Sequence, residues 1–363
     1  MSYKSDYSKA VFLNAYGSGK PLKQNSEYQQ YIKFECEITN PRKYHKQLIA
    51  ADYLQPASPE KIISSLKVSE LKEICESIGV QKTGKKQILV ERIISSCSPD
   101  QITSFVKEPL YSLSAKGELF LNEHWEYVEL HKHKNYGISL DEYVSLKNSL
   151  PFTSTFRDVA WGIFNKRILD YSKNKQYGLL RNNYLNMSQL SKEEKNYDVE
   201  LKFLLYVLFF DIYDYDMEYI SYQTTREKVI NCYRCFAFQT SIPSRISELK
   251  GYYDEIYADE VYQSYSGQFP IVVCDINVFK HLVIDLFDST ENINQKYVES
   301  FERNFTCYVD THFKQHKENV SSHVDSNQKP KGCLSNIAII CFLIYILSII
   351  QQPTNCDIAT TEL

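Results

Sequence analysis

Several absences narrow what this chain can do. It carries only 11 glycines in 363 residues, and glycine is the residue from which phosphate-cradling loops are built. Gly17-Ser18-Gly19-Lys20 superficially resembles such a loop. It lacks the first glycine of GxxxxGK[ST] and runs into Pro21, which excludes it. Cys232-Tyr233-Arg234-Cys235 is a lone CxxC, with no second CxxC to complete a zinc site. It also lacks the βαβ context of a thioredoxin-like motif, so two helical cysteines at i and i+3 are the better reading. The ten cysteines follow no disulfide-framework spacing and no secretory leader precedes them. A reducing cytoplasm is therefore the expected setting of the main body. No repeat period of roughly 20–50 residues is present. A strong net charge is missing too: at −4 the protein does not coat nucleic acid with its whole surface.

Converging catalytic groups are equally absent from the pattern. Glu70/Lys72, Glu200/Lys202 and Glu248/Lys250 fit the E-x-K spacing of restriction-type nucleases. All three lie in helical patterns where that chemistry needs a strand. His131-Lys132-His133 has no carboxylate partners and reads as a surface loop. The acidic cluster Asp211, Asp214, Asp216 and Glu218 lacks the loop glycine of a calcium site and reads as a solvated helix end. No cofactor, no metal and no enzymatic activity are expected. The 29 tyrosines accompany many Lys, Asn and Ile residues, a pattern A/T-rich coding produces without any stacking surface.

What is present is a basic helix–loop–helix over residues 61–94. Leu71, Ile74, Cys75 and Ile78 follow i, i+3, i+4, i+7 on one helical face. Ser69 suits its N-cap, Glu70 its first turn and Gly79 its stop. A second helix capped by Thr83 buries Leu89, Val90, Ile93 and Ile94, and Ile62, Ile63 and Leu66 close the core from upstream. Lys85 and Lys86 then fall in the second helix's first turn, with Lys82 just ahead. Cations there oppose the helix dipole, whereas an anion is favoured by the free backbone N–H groups. Gly84 lets a phosphate approach the backbone. Seven Lys and Arg face five Glu between Glu60 and Cys97, so the basic character is local. A solvated basic loop on an ordinary helical hairpin is the plain alternative.

The segment resembles the SAP domain, a helix–extended-loop–helix DNA-binding module. The resemblance rests on Leu66-Lys67-Val68, Glu70-Leu71-Lys72, Ile78-Gly79-Val80, Thr83-Gly84-Lys85-Lys86, Leu89 and Arg92-Ile93. It implies binding to duplex DNA, often with a preference for A/T-rich sequence, through Lys82, Thr83, Gly84, Lys85, Lys86 and Arg92; with so few phosphate contacts the module binds at low affinity. Softer motifs in the body are similar to SAP-containing proteins of bacteria and their prophages, over most of residues 29–300. They are Glu35-Cys36-Glu37-Ile38, Tyr136-Gly137-Ile138-Ser139-Leu140 and Asp158-Val159-Ala160-Trp161. That family brings no activity to transfer.

The expected organisation is an N-terminal segment 1–57, the SAP-like module 58–98 and a mostly helical body 108–316. A polar linker 317–333, a transmembrane helix 334–350 and a tail 351–363 complete it. In the first segment Tyr31 to Ile38 reads as a short strand, followed by a helix through Leu48. In the body, Tyr111 to Ser114 leads into a helix with Leu119, Phe120 and Trp125, and Ser139 caps the next. Phe156 to Leu169 is amphipathic, and Val199 to Ile212 is apolar nearly all round, as a central buried helix should be. Ser244 to Ile256 and Val278 to Phe287 suggest further helices, and Pro270 to Val273 reads as extended. Residues 334–350 carry no charge, and Lys329 and Lys331 precede them. A membrane span with the N-terminus on the cytoplasmic face is the expectation; a buried core helix is the alternative.

The fold class expected is therefore mainly α: a SAP-like module, a helical body and a single C-terminal transmembrane helix. The functional expectation is a non-enzymatic, membrane-tethered DNA-binding protein. The alternatives are a membrane-anchored protein-interaction protein and a nuclease or DNA-modifying enzyme targeted by the module.

Overall fold

A computed structural model describes residues 3–214, 226–230, 233, 241–288 and 293–321. Helix α1 (Tyr3–Tyr16) leads into strand β1 (Ser18–Pro21), helices α2 (Gln30–Phe34) and α3 (Pro41–Ala50), and strand β2 (Leu54–Pro56). The basic segment contributes α4 (Pro59–Ser65), α5 (Val68–Ser77), α6 (Lys86–Ser96) and α7 (Pro99–Ser104). The chain returns as β3 (Leu110–Leu113) before α8 (Ala115–Glu123) and α9 (Trp125–Lys132). Helix α1 buries Ala10, Val11, Phe12 and Leu13 in succession because β1, β3, α8 and α9 surround it.

The strands form one antiparallel sheet in the order β1-β3-β2. Leu54 pairs with Leu113 and Pro56 with Tyr111, and Ala57 N–H donates to the Leu110 carbonyl at 2.8 Å. The basic helices α4–α7 are thus inserted between two neighbouring strands, and the chain enters and leaves them at one place. Helix α4 also packs on β1, and Lys61 pairs with Glu118 of α8 at 3.4 Å. The sheet was not legible in the pattern. Strands of three or four residues are too short for an alternation to register.

The body comprises α10 (Leu140–Lys147), α11 (Phe156–Lys173), α12 (Tyr177–Glu193), α13 (Tyr197–Ile212) and α14 (Arg226–Ile230). After these come α15 (Ile242–Glu248), α16 (Glu255–Tyr265), α17 (Ile276–Asp288) and α18 (Ile293–Ser321). Helix α13 is the buried centre: α12, α15 and α16 pack on it and cover Leu204, Leu205, Val207, Leu208 and Phe209. Tyrosines fill this core. The Tyr184 and Tyr206 rings stack at 4.3 Å, and the Tyr184 and Tyr265 hydroxyls lie 2.7 Å apart. Buried charges on α13 are paired bidentately, as burial requires. Glu200 accepts from Arg245 at 2.7 and 2.8 Å, and Asp211 from Arg181 at 2.8 and 3.0 Å. The described residues up to Thr306 form one compact unit, and Cys307 opens a second, described only as the continuation of α18 to Ser321.

Several expectations need correction. Tyr31 to Ile38 is not a strand: Ile32 and Cys36 are buried one helical turn apart while Phe34 is exposed, so α2 forms instead. The expected helix from Ser244 to Ile256 breaks at Leu249, and α16 begins at Glu255. Ile271 and Val273 are buried without forming a strand among the described residues. The fold is mainly helical as expected, but the transmembrane component of the fold class is overturned. Among the described residues no helix is long and apolar enough to cross a membrane. The most apolar helix, α13, has 16 residues and is covered by protein, and the 29-residue α18 carries charges such as Glu299, Glu302 and Arg303. Residues 334–350 lie outside the described residues. The assignment to the cytoplasmic face of a membrane rested on that segment and falls with it.

Candidate nucleic-acid interface

The inserted segment has its own small core. Ile62 and Ile63 of α4, Leu71, Ile74 and Cys75 of α5, and Leu89 and Ile93 of α6 are buried together. Ala57 and Ile102 of α7 complete it, with Ile78, Val90 and Ile94 half-buried against it. This is the apolar stripe the periodicity predicts. The entry at Ser58 and Pro59 is as expected, the Ser58 hydroxyl capping α4 by accepting from Lys61 N–H at 3.3 Å. The later helix starts differ from expectation. Helix α5 begins at Val68, and its Glu70 carboxylate reaches back to Lys67 N–H at 2.6 Å. Ser69 therefore lies inside the first turn rather than at the cap.

Gly79 ends α5 as expected. At φ +74° its N–H bonds the Glu76 carbonyl and Val80 N–H bonds the Cys75 carbonyl, the two hydrogen bonds of a Schellman stop. The chain then runs exposed from Gln81 to Ile88. Gly84 has φ +136°, a conformation that L side chains rarely adopt, and a Cβ there would lie 3.3 Å from Ile88. That turn delays the second helix by two residues relative to expectation. Lys85, not Thr83, occupies the N-cap of α6, and Lys86 is its first helical residue. A lysine has no acceptor to offer the first-turn N–H groups, and no side-chain cap bond forms there.

Five of the six expected contact residues fall on this one loop and the start of α6, the sixth, Arg92, lies in the second turn of α6, and they are not equivalent. Lys85 and Lys86 are exposed and have no carboxylate partner among the described residues. Lys82 is exposed yet paired, its Nζ 2.8 Å from Glu76 Oε1. Arg92 turns inward: Nη1 donates to the Gln81 carbonyl at 2.8 Å and to the Thr83 carbonyl at 2.6 Å. It fastens the loop to the second turn of α6. That role is invisible to spacing arguments, since any arginine on this face would look like a phosphate contact.

This small helical core, with the glycine stop of α5 and the lysine-led start of α6, has a known counterpart. Residues 62–96 match the SAP domain. A SAP domain suggests nucleic-acid binding. The match runs from Ile62 in α4 to the last residue of α6, leaving α7 and the rest of the chain outside it. No curated protein and no solved structure matches the chain. The wider resemblance to bacterial and prophage proteins therefore has no counterpart here.

The other chemical candidates do not converge. Glu200 of one E-x-K is committed to Arg245, Glu248 of another lies 2.6 Å from the same arginine, and all three E-x-K runs begin on helices. The His131 ring lies 4.6 Å from that of Tyr31, tilted by 46°, and His131 faces Glu35 at 3.5 Å. His133 contacts the Glu129 carbonyl and Glu193. Asp211 is buried against Arg181, while Asp216, Glu218 and the pair Cys232 and Cys235 lie outside the described residues. Among the described residues no cluster of three His, Cys, Asp or Glu could hold a metal ion. Gly17 to Lys20, rejected as a phosphate loop, opens β1.

Proposed function

We propose that this protein is a non-enzymatic duplex-DNA-binding protein that contacts the phosphate backbone through Lys82 to Lys86 and the N-terminus of α6. The observation that carries the reading is the start of α6, where Lys85 and Lys86 stand exposed and no side chain caps the first-turn N–H groups. That arrangement costs the isolated fold stability and favours an anion. Thr83 and Gly84 form the close-approach turn, and Arg92 holds it in shape. Contacts of this type carry little base readout. A preference for A/T-rich duplex follows from the family resemblance.

The salt dependence distinguishes two versions of the site. With three lysines on phosphates the slope of log affinity against log salt is about −2.7. With Lys82 retained by Glu76 it is about −1.8. Fluorescence anisotropy of the full chain with a labelled duplex measures this directly. The Lys82/Lys85/Lys86→Glu triple variant is expected to lose the salt-dependent binding. Equal affinity of variant and parent would overturn the assignment. A competing reading, a protein partner on the hairpin, draws on Val68 and Ile88, each 40 % exposed. It predicts a partner that is retained when salt rises.

A further inference from the structure

Glu76 lies in the last turn of α5, where the helix dipole is negative and a carboxylate is disfavoured. Lys82 lies ahead of the positive end of α6, where an ammonium is disfavoured. Each group is thus misplaced with respect to its own helix, and they compensate one another across the loop at 2.8 Å. Both side chains are more than half exposed, at 66 % and 54 %. Such a pair is held weakly and opens readily. From this we infer that Glu76 is a built-in competitor for the polyanion. It holds Lys82 in the free protein and competes with an arriving phosphate for it, so that the parent makes one phosphate contact fewer than it could and the module's affinity is lowered.

The inference rests on the DNA-binding reading and adds regulation to the same site. Glu76 is the carboxylate in position to do this. Glu70 is committed to the Lys67 backbone at the other end of α5, and Glu91 lies beside Gln87 at 3.3 Å. Lys85 and Lys86 have no such competitor among the described residues and form the constant part of the site. Lys82 is the adjustable part. Neutralising Glu76 therefore does two separable things: it removes one negative charge near the phosphate path, and it releases one specific ammonium group. Only the second depends on Lys82.

The test uses the full chain and a labelled mixed-sequence duplex over a series of salt concentrations. Glu76→Gln is compared with Glu73→Gln, which removes an exposed carboxylate from the same helix, and both are repeated in a Lys82→Gln background. Glu76→Gln is expected to bind about twofold to fivefold tighter than Glu73→Gln. Its salt slope should be steeper by about 0.9, the value of one further phosphate contact. The advantage should disappear in the Lys82→Gln background. Equal affinities and slopes for the two glutamine variants would overturn the inference alone, provided the Lys82/Lys85/Lys86→Glu variant still abolishes binding. An advantage that persists without Lys82 would also overturn it, since the effect would then be general charge. Absence of salt-dependent binding in every protein would remove the DNA reading and this inference together.

Discussion

Single residues of one type have separate fates in this protein, and their neighbours explain why. Three lysines and an arginine look interchangeable along residues 82–92, yet Lys82 meets Glu76, Arg92 meets two carbonyls, and Lys85 and Lys86 meet solvent. Histidines diverge in the same way. His45 is fully buried among Phe12, Tyr16, Tyr28 and Tyr111, its Nδ1 2.9 Å from the Tyr28 hydroxyl and its Nε2 without a hydrogen-bond partner among the described residues. Burial pushes its pKa down to about 4 from the usual 6.5. Between those values the unfolded chain takes up a proton that the folded chain refuses. Stability that is full above the ordinary histidine value therefore falls as pH drops toward about 4, by up to about 1.4 kcal/mol per pH unit. Urea unfolding at neutral and at mildly acidic pH should show this loss in the parent and a shallower one in His45→Gln. Identical pH dependence of the two would discharge His45 from the effect.

At the level of elements, helix α6 is the instructive case. Its periodicity is strong enough that Leu89 and Ile93 were identifiable as core from the pattern, whereas its first residue was misplaced by two positions. Apolar spacing is a property of the helix itself. Where the helix begins depends on Gly84 and on the arginine anchoring the preceding turn, which are contacts between turns. A lysine at the cap position also makes a specific prediction. Lys85→Asp supplies the missing acceptor and a favourable charge at the helix N-terminus. It should stabilise the module by about 1 kcal/mol while weakening duplex binding. Denaturant midpoint and anisotropy measured on the same preparation would separate the two effects. A variant that is more stable and binds equally well would show that α6 does not receive the phosphate. The body follows the same logic. The apolar stretch of α13 announced a buried helix, but its pairing of Glu200 with Arg245, 45 positions later, is a long-range contact that no local spacing encodes.

For the whole molecule, the insertion of α4–α7 between β2 and β3 ties both ends of the SAP module to one sheet. With a net charge of −4 and Lys82, Lys85 and Lys86 grouped on one exposed loop, a duplex should touch the protein locally. Hydrogen exchange of the full chain, with and without duplex DNA, should therefore show new protection around residues 81–90. The α11–α13 core should be unaffected. Protection spread over α11–α13 would point to a second DNA surface. The membrane expectation was a whole-molecule inference drawn from one uncharged run, and it did not survive: no described helix has the length and apolarity for a crossing. Helix α13 illustrates why hydropathy alone misleads, since a protein core offers the same apolar surroundings as lipid.

The module's helices, its apolar stripe, its glycine stop and its cluster of ammonium groups could all be read from residue order. Each is written within a few turns of chain, where spacing and charge act directly. The three-stranded sheet, the start of α6, the inward turn of Arg92 and the partner of Lys82 emerged only on folding. They depend on groups brought together by the path of the backbone, and neither periodicity nor composition records which distant atoms will meet.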